Sequence, residues 1–263
     1  MIDIEIGIVR PELTLHMPAD QDTLPLVRQA LRSLGETVDA DIEALEDAEL
    51  AVTEACANAI EHAYADGVGD IQVSFSPGEF DLKVSVADQG VGIPVDIRSK
   101  GAGDGFGLPM IGSIATSMNF ADVAGTQIDM AFPLGRPEQS PPVDGAAPGV
   151  EPAERILRRL VAVVAAQRDM SSERVMEGLL LAELVARNAL RYLIGDRVSV
   201  HIDLVDKGFE LRVGPLEPGG AQAVIDDSEV PVVGSVLERL ADDVRVDSNG
   251  NNESITLRMN QRG

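Results

Sequence analysis

Apolar residues in the first half of the chain recur with two different periods, and each period predicts one kind of element. Between Asp41 and Tyr64 they return every three or four residues, as on one face of an α-helix. Alternation typical of strands follows at 70–76 and 80–87, on either side of a turn at 76–79. Further elements are predicted as an opening strand or hairpin at 4–16, helices at 24–34 and 108–118, and a closing strand at 127–132.

The second half repeats this order of patterns. Two local matches accompany the order, because Asn58-Ala59-Ile60 resembles Asn188-Ala189-Leu190 and Ile111–Ile114 resembles Val233–Val236. We therefore predict an α/β fold, an α+β two-layer sandwich that is duplicated, with a second copy that lacks the opening strand. The predicted elements are helices at 153–167, 172–194 and 232–240 and strands at 197–204, 209–213 and 254–259.

A segment rich in proline and glycine separates the two halves. Residues 135–152 read GRPEQSPPVDGAAPGVEP, with five prolines and three glycines, a composition that sustains neither a helix nor a central strand. The sequence thus predicts one domain at 1–134, a linker at 135–152 and a second domain at 153–263.

The composition adds a strong negative charge, with 44 acidic against 21 basic residues and a formal charge of −23. Such a surface repels the phosphates of nucleic acids and anionic membranes, so we expect neither as a direct partner. The acid either only solvates the protein or attracts a basic protein partner. The chain start does not resemble a signal peptide and no apolar run approaches the roughly 20 residues that span a bilayer, so a cytoplasmic location is expected.

The long predicted helix carries the first chemical motif. Glu54, Asn58 and His62 are spaced by four and share one helix face, away from the apolar face that includes Cys56. The amide oxygen of Asn58 is a neutral hard ligand that suits Mg²⁺, and Glu54 can accept a proton or orient a water. The alternative is a solvated polar face with no chemistry.

Two glycine-rich segments follow. Asp88 ends an apolar strand, where it can accept a hydrogen bond from an exocyclic amine such as that of adenine, and Gly90 and Gly92 allow a sharp turn close to a ligand. The second segment, Gly101–Leu108, opens a helix whose backbone N–H groups can bind phosphate, although it is neither a Walker loop nor a dinucleotide fingerprint. Each segment taken alone is also compatible with an ordinary turn.

In this order and spacing the three motifs resemble the N, G1 and G2 boxes of the GHKL (histidine kinase-like) ATPase superfamily, and the stretch Leu50–Tyr64 is most similar to bacterial anti-sigma factor serine kinases. The resemblance implies a Bergerat-type ATP-binding fold with ATP and Mg²⁺ as cofactors. It implies Asn58 as the Mg²⁺ ligand and Glu54 as the general base. The residues it places at ATP are Asn58, Asp88, Gly90, Gly92, Arg98, Lys100, Gly105, Phe106, Gly107, Leu108 and Thr126.

The function implied by this resemblance is an ATP-dependent anti-sigma factor. It would phosphorylate a serine or threonine of a small antagonist protein and would bind and sequester a sigma factor. An alternative is an ATP-gated protein-binding module without phosphoryl transfer, and a third possibility is a scaffold that has lost ATP binding.

The second half lacks most of the residues that the resemblance places at ATP. Asn188 matches Asn58, but Leu184 stands at the position of Glu54, Pro215 at that of Asp88 and Glu229 at that of Gly107. A proline accepts no hydrogen bond from adenine through its side chain, and a glutamate repels phosphate. We therefore expect a degenerate copy that binds no nucleotide. It would pair with the first copy as an intrachain pseudo-dimer, or else the chain would form a homodimer.

Overall fold

The structure is a computed structural model that describes residues 1–64, 69–91, 107–121, 125–135 and 150–261. The chain divides into two compact units. The first-half unit contains residues 10–146, and the second-half unit contains residues 147–263 together with residues 1–9. The first strand, β1 (Ile2–Gly7), therefore belongs with the second half. The composition alone indicates a domain boundary only at the linker and does not predict this assignment.

The first-half unit is a layer of helices on an antiparallel sheet. Its strands are ordered β2-β3-β4-β6-β5, and every adjacent pair is antiparallel. The elements are β2 (Leu13–Pro18), a 3₁₀ turn (Gln21–Thr23), α1 (Leu24–Thr37), α2 (Ile42–His62), β3 (Asp70–Pro77), β4 (Asp81–Asp88), α3 (Gly107–Ile114), β5 (Ser117–Ala121) and β6 (Gln127–Pro133).

Alternating burial in the strands creates the core of this unit. Ile71, Val73 and Phe75 of β3 are buried, while the residues between them are more exposed, so one face of the sheet packs under α1 and α2. The carboxylate of Asp41 accepts a hydrogen bond from Glu43 N at 2.8 Å and caps the start of α2. This confirms the mixed α/β fold class that the hydrophobic pattern predicts.

The helix predicted at 108–118 is wrong at its C-terminal end. Ala115 N makes the last helical hydrogen bond, to Ile111 O, and Thr116 N instead donates to Ala131 O in the sheet. Met118 then pairs with Met130 as part of β5. The apolar residues after 114 thus contribute to a strand that the periodicity does not distinguish from a continuing helix.

The second-half unit has the same strand order as the first-half unit, and β1 takes the place of the opening strand, so the prediction that the second copy lacks this strand is wrong. Its order is β1-β7-β8-β12-β11, with all adjacent pairs antiparallel, which matches β2-β3-β4-β6-β5 strand for strand. Its elements after β1 are α4 (Val150–Gln167), α5 (Ser172–Ala189), β7 (Arg197–Val205), β8 (Gly208–Leu216), α6 (Gly220–Asp226), β9 (Glu229–Val230), β10 (Gly234–Ser235), α7 (Val236–Leu240), β11 (Asp243–Asn249) and β12 (Asn252–Asn260).

Two predicted helices of the second half are too long. The helix predicted to reach residue 194 ends at Ala189, and the one predicted from 232 begins only at Val236. The segment before Val236 is a short hairpin in which Val232 and Gly234 both have positive φ, at 73° and 83°, which a helix does not allow. The match of Ile111–Ile114 to Val233–Val236 therefore joins segments of different conformation.

A buried arginine joins three elements of the second-half unit. Arg174, at the start of α5, is only 2 % exposed. Its guanidinium donates to Asn260 O at 2.9 Å, to Leu240 O at 3.0 Å and to Asp242 Oδ2 at 2.5 Å, and it also pairs with Glu177. The Asp242 carboxylate in turn accepts from Asn260 N at 2.6 Å, so one cation holds the ends of α7 and β12 against α5.

None of the helices in the described ranges combines the length and the apolar character needed to cross a membrane.

Candidate functional site

The first cluster of candidate residues joins α2 to the start of α3. Glu54 and Asn58 lie one turn apart on α2 and are both partly exposed, and Asn58 Nδ2 lies 3.5 Å from Glu54 Oε1. Gly107 packs directly on this carboxylate, because a Cβ added at Gly107 would lie 1.9 Å from Glu54 Oε1. The residue types of the first and third motifs therefore meet at one place, where an amide and a carboxylate face the N-terminal end of a helix.

The other polar and sulfur groups of α2 do not enter this cluster. His62 is exposed in the last turn of α2. Cys56 is fully buried, and desolvation raises the pKa of its thiol to about 12, so the thiol stays protonated near neutral pH. This confirms Cys56 as a small apolar core residue.

The second cluster forms around Asp88 at the end of β4. The side chain is 6 % exposed, and its Oδ1 accepts from Gly90 N at 2.8 Å and from Thr126 N at 3.3 Å. The backbone N–H of Asp88 donates to Thr126 O at 2.9 Å. Among the described residues none donates to Oδ2, so the carboxylate is oriented through one oxygen while the other can accept from a ligand.

Close backbone approaches explain two glycines of this cluster. A Cβ at Gly90 would lie 2.0 Å from the carbonyl oxygen of Ala63, which already accepts from Val91 N at 2.9 Å. Gly125 has φ +114°, and a Cβ there would lie 2.1 Å from Asp88 O. Both contacts are with backbone atoms that have little freedom to move, so the turn after Asp88 requires glycine.

The structure adds one residue that motif reasoning does not assign. Tyr64 follows α2, and its hydroxyl accepts from Gln89 N at 2.9 Å and donates to Asp70 O at 2.6 Å. The only sequence signal is its position at the end of the stretch that resembles the anti-sigma kinases, directly after Ala63.

The structure describes two of the remaining predicted site residues. Leu108 is half-buried in α3, and Thr126 is buried beside Asp88. No group of three or more His, Cys, Asp or Glu side chains in the described ranges is arranged to hold a metal ion. The predicted residues that lie outside the described ranges are Gly92, Arg98, Lys100, Gly105 and Phe106.

The matching positions in the second-half unit have a different environment. Asn188 is 4 % exposed, and within the described ranges its buried Nδ2 has no hydrogen-bond partner. Pro215 follows Gly214 through a cis peptide bond and lies within β8. A buried amide and a pyrrolidine ring thus occupy the positions where the first-half unit has Asn58 and Asp88.

Known proteins resemble the first half of the chain. Residues 17–132 match the family model of the histidine kinase-like ATPase domain, a range that includes every described residue of both clusters. The serine-protein kinases RsbW of Bacillus licheniformis and of Bacillus velezensis are each 34 % identical over 92 residues, which is 35 % of this chain and 58 % of each relative.

A further RsbW, from Bacillus cereus strain AH820, is 30 % identical over 90 residues, or 34 % of this chain and 56 % of the relative. The chain therefore spans little more than half the length of these relatives. The part of the chain at residues 17–132 is therefore similar to histidine kinase-like ATPase domains and to the serine-protein kinases RsbW.

Proposed function

We propose that this chain is an ATP-binding anti-sigma factor that phosphorylates a serine or threonine of a small antagonist protein and sequesters a sigma factor. The observation that carries the proposal is the buried Asp88 carboxylate, which is held through Oδ1 and whose Oδ2 accepts from no donor in the described part of the chain. A carboxylate in this state selects a ligand that donates one hydrogen bond, as the exocyclic amine of adenine does. The similarity to serine-protein kinases supports the transfer step.

The cluster on α2 supplies the groups that phosphoryl transfer needs. Asn58 would hold Mg²⁺ through its amide oxygen, a neutral hard ligand, and the bound ion would neutralise phosphate charge. The residues fit this role, because Asn58 is accessible on α2 and Gly107 places no side chain between α3 and Glu54. Glu54 would accept the proton of the attacking hydroxyl.

We propose that the second-half unit is a degenerate duplicate that binds no nucleotide. The shared strand order supports the duplication, and the buried Asn188 together with Pro215 at the Asp88 position supports the loss of the site. One nucleotide per chain is the stoichiometry that follows. The formal charge of −23 favours partners with a basic binding surface.

The first test is ATP binding by calorimetry. We expect one Mg²⁺–ATP per chain in the wild type and an affinity about 10- to 100-fold lower in Asp88→Asn, since a hydrogen bond to a charged group contributes about 1.5–3 kcal/mol. Asp129→Asn makes the same change of charge on β6 and should bind as the wild type does. Two equivalent sites, no binding, or full affinity in Asp88→Asn would contradict the proposal.

The second test separates binding from transfer. Glu54→Gln keeps the shape of the side chain but removes the base, so ATP affinity should stay within about two-fold while phosphoryl transfer slows about 10²- to 10⁴-fold. Transfer is measured from labelled ATP to a candidate antagonist, with Glu61→Gln, exposed on the same helix, as control. Transfer at the wild-type rate in Glu54→Gln would remove Glu54 as the base. Tight ATP binding without transfer by the wild type would favour an ATP-gated binding module.

A further inference from the structure

The hydroxyl of Tyr64 occupies a place in the sheet where two backbone groups would otherwise meet. Asp88 pairs with Ile71 in the last rung of the β3–β4 ladder, so the next rung would join Gln89 to Asp70. The N–H of Asp88 points to Thr126 O, away from β3. Because successive N–H groups of a strand point to opposite sides, the N–H of Gln89 points toward β3.

In a regular ladder this N–H would donate directly to the carbonyl of Asp70. Here the phenol stands between them, accepting from Gln89 N at 2.9 Å and donating to Asp70 O at 2.6 Å. The hydroxyl therefore replaces one backbone hydrogen bond by two and keeps the strands apart at the residue next to Asp88. A change at this rung alters the direction in which the chain leaves β4.

Two contacts constrain the phenol of Tyr64 and the backbone of the residue before it. Its ring lies on Gly69, where an added Cβ would be 2.2 Å from Tyr64 Cε1 and Cζ. On the other side of Tyr64, the carbonyl of Ala63 accepts from Val91 N at 2.9 Å. Residues 88–91 are thus attached to the end of α2 at two points, through Ala63 O and through the Tyr64 hydroxyl.

The second-half unit joins the corresponding elements differently. At the same offset of 130 from Tyr64 stands Ile194, whose backbone N–H donates directly to Pro215 O at 3.0 Å. At this junction the unit with proline at the Asp88 position has a direct backbone hydrogen bond, whereas the unit with the carboxylate uses the hydroxyl of Tyr64.

We propose that Tyr64 is a positioning residue for adenine recognition, which sets the orientation of the Asp88 carboxylate through the Gln89 backbone. This inference rests on the proposed function, because it concerns the ligand that Asp88 binds. The expected consequence is specific: loss of the hydroxyl weakens recognition of the exocyclic amine more than it weakens binding of the rest of the nucleotide.

The experiment compares ATP with purine riboside triphosphate, which lacks the exocyclic amine, as ligands of the full chain with Mg²⁺. The Kd for the amine-free nucleotide divided by the Kd for ATP measures how much the amine contributes to binding. Tyr64→Phe keeps the ring and removes only the hydroxyl, and we expect it to lower this ratio about five-fold while leaving the affinity for the amine-free nucleotide within about two-fold. Gly69→Ala, which displaces the ring, should lower the ratio in the same direction.

Thermal unfolding of each variant shows that the fold is kept. Equal loss of affinity for both nucleotides in Tyr64→Phe, or an unchanged ratio, would overturn the positioning role while leaving ATP binding intact. A wild type that binds neither nucleotide, or does not distinguish them, would overturn adenine recognition by Asp88 and the role of Tyr64 with it.

Discussion

Replacing Gly90 by alanine is expected to lower the affinity for Mg²⁺–ATP by about 10- to 100-fold. The added Cβ would lie 2.0 Å from Ala63 O, a backbone atom that is already bonded to Val91 N. The turn must move to relieve this overlap, and it then withdraws Gly90 N from Asp88 Oδ1, a hydrogen bond to a charged group that contributes about 1.5–3 kcal/mol. Overpacking should also cost about 1–3 kcal/mol of stability. Calorimetric titration and thermal unfolding measure the two effects.

Gly112→Ala is the matched control for this change. Gly112 lies within α3, and the nearest atom to an added Cβ is Met118 Cε at 4.0 Å, an ordinary contact. Alanine should preserve ATP affinity there and stabilise the helix by up to about 1 kcal/mol. Equal affinities for Gly90→Ala and Gly112→Ala would show that the turn after Asp88 does not form part of the nucleotide site.

Arg174→Met should cost the second-half unit about 3–5 kcal/mol, because it removes the cation from a buried, hydrogen-bonded network. Methionine fills similar space but leaves the carboxylates of Glu177 and Asp242 without the guanidinium and gives no donor to Asn260 O or Leu240 O. Urea unfolding measures the loss, and amide hydrogen exchange at β12 assigns it to this unit.

The control is Arg187→Met on the same helix. Arg187 pairs with Glu183 and Glu154, but its side chain is 49 % exposed, so solvent screens the interaction and the expected cost is below about 1 kcal/mol. If both variants unfold at the same urea concentration, burial does not make the contribution of Arg174 to stability larger than that of Arg187.

The long helices and the central strands of both units could be predicted from apolar spacing, because their buried faces repeat with a fixed period, whereas the short helix α6 was not predicted. The edge strands could not. In β11 nearly every residue is exposed, only Val244 and Val246 alternate with charged neighbours, and its conformation depends on pairing with β12. Before and within β5, Ile111, Ala115 and Met118 still have the spacing of a helix, whereas Thr116 N donates to Ala131 O in the sheet. Pairing between distant segments leaves no local pattern.

The candidate site, too, could be predicted only in part from the sequence. Residue type and spacing single out Glu54 and Asp88 as candidates, and the structure places Gly107 against the first and Gly90 and Thr126 against the second. Tyr64 could not be predicted, because its role depends on which side of β4 the Gln89 N–H faces. The register of the sheet sets that direction, and the presence of a tyrosine at position 64 does not reveal the register.

The pairing of β1 with β7 has a consequence for the order in which the protein is completed during translation. Gly7 pairs with Arg197, so the ribosome must add roughly 190 residues before the partner of the first strand exists. At about 5–20 residues per second this takes on the order of 10–40 s. Throughout that interval the backbone N–H and C=O groups of Ile2–Gly7 lack their hydrogen-bond partners on β7. An unpaired strand edge favours association with other chains. The acidic residues Asp3 and Glu5, which alternate with the buried Ile2, Ile4 and Ile6, place charge on the nascent strand during this wait.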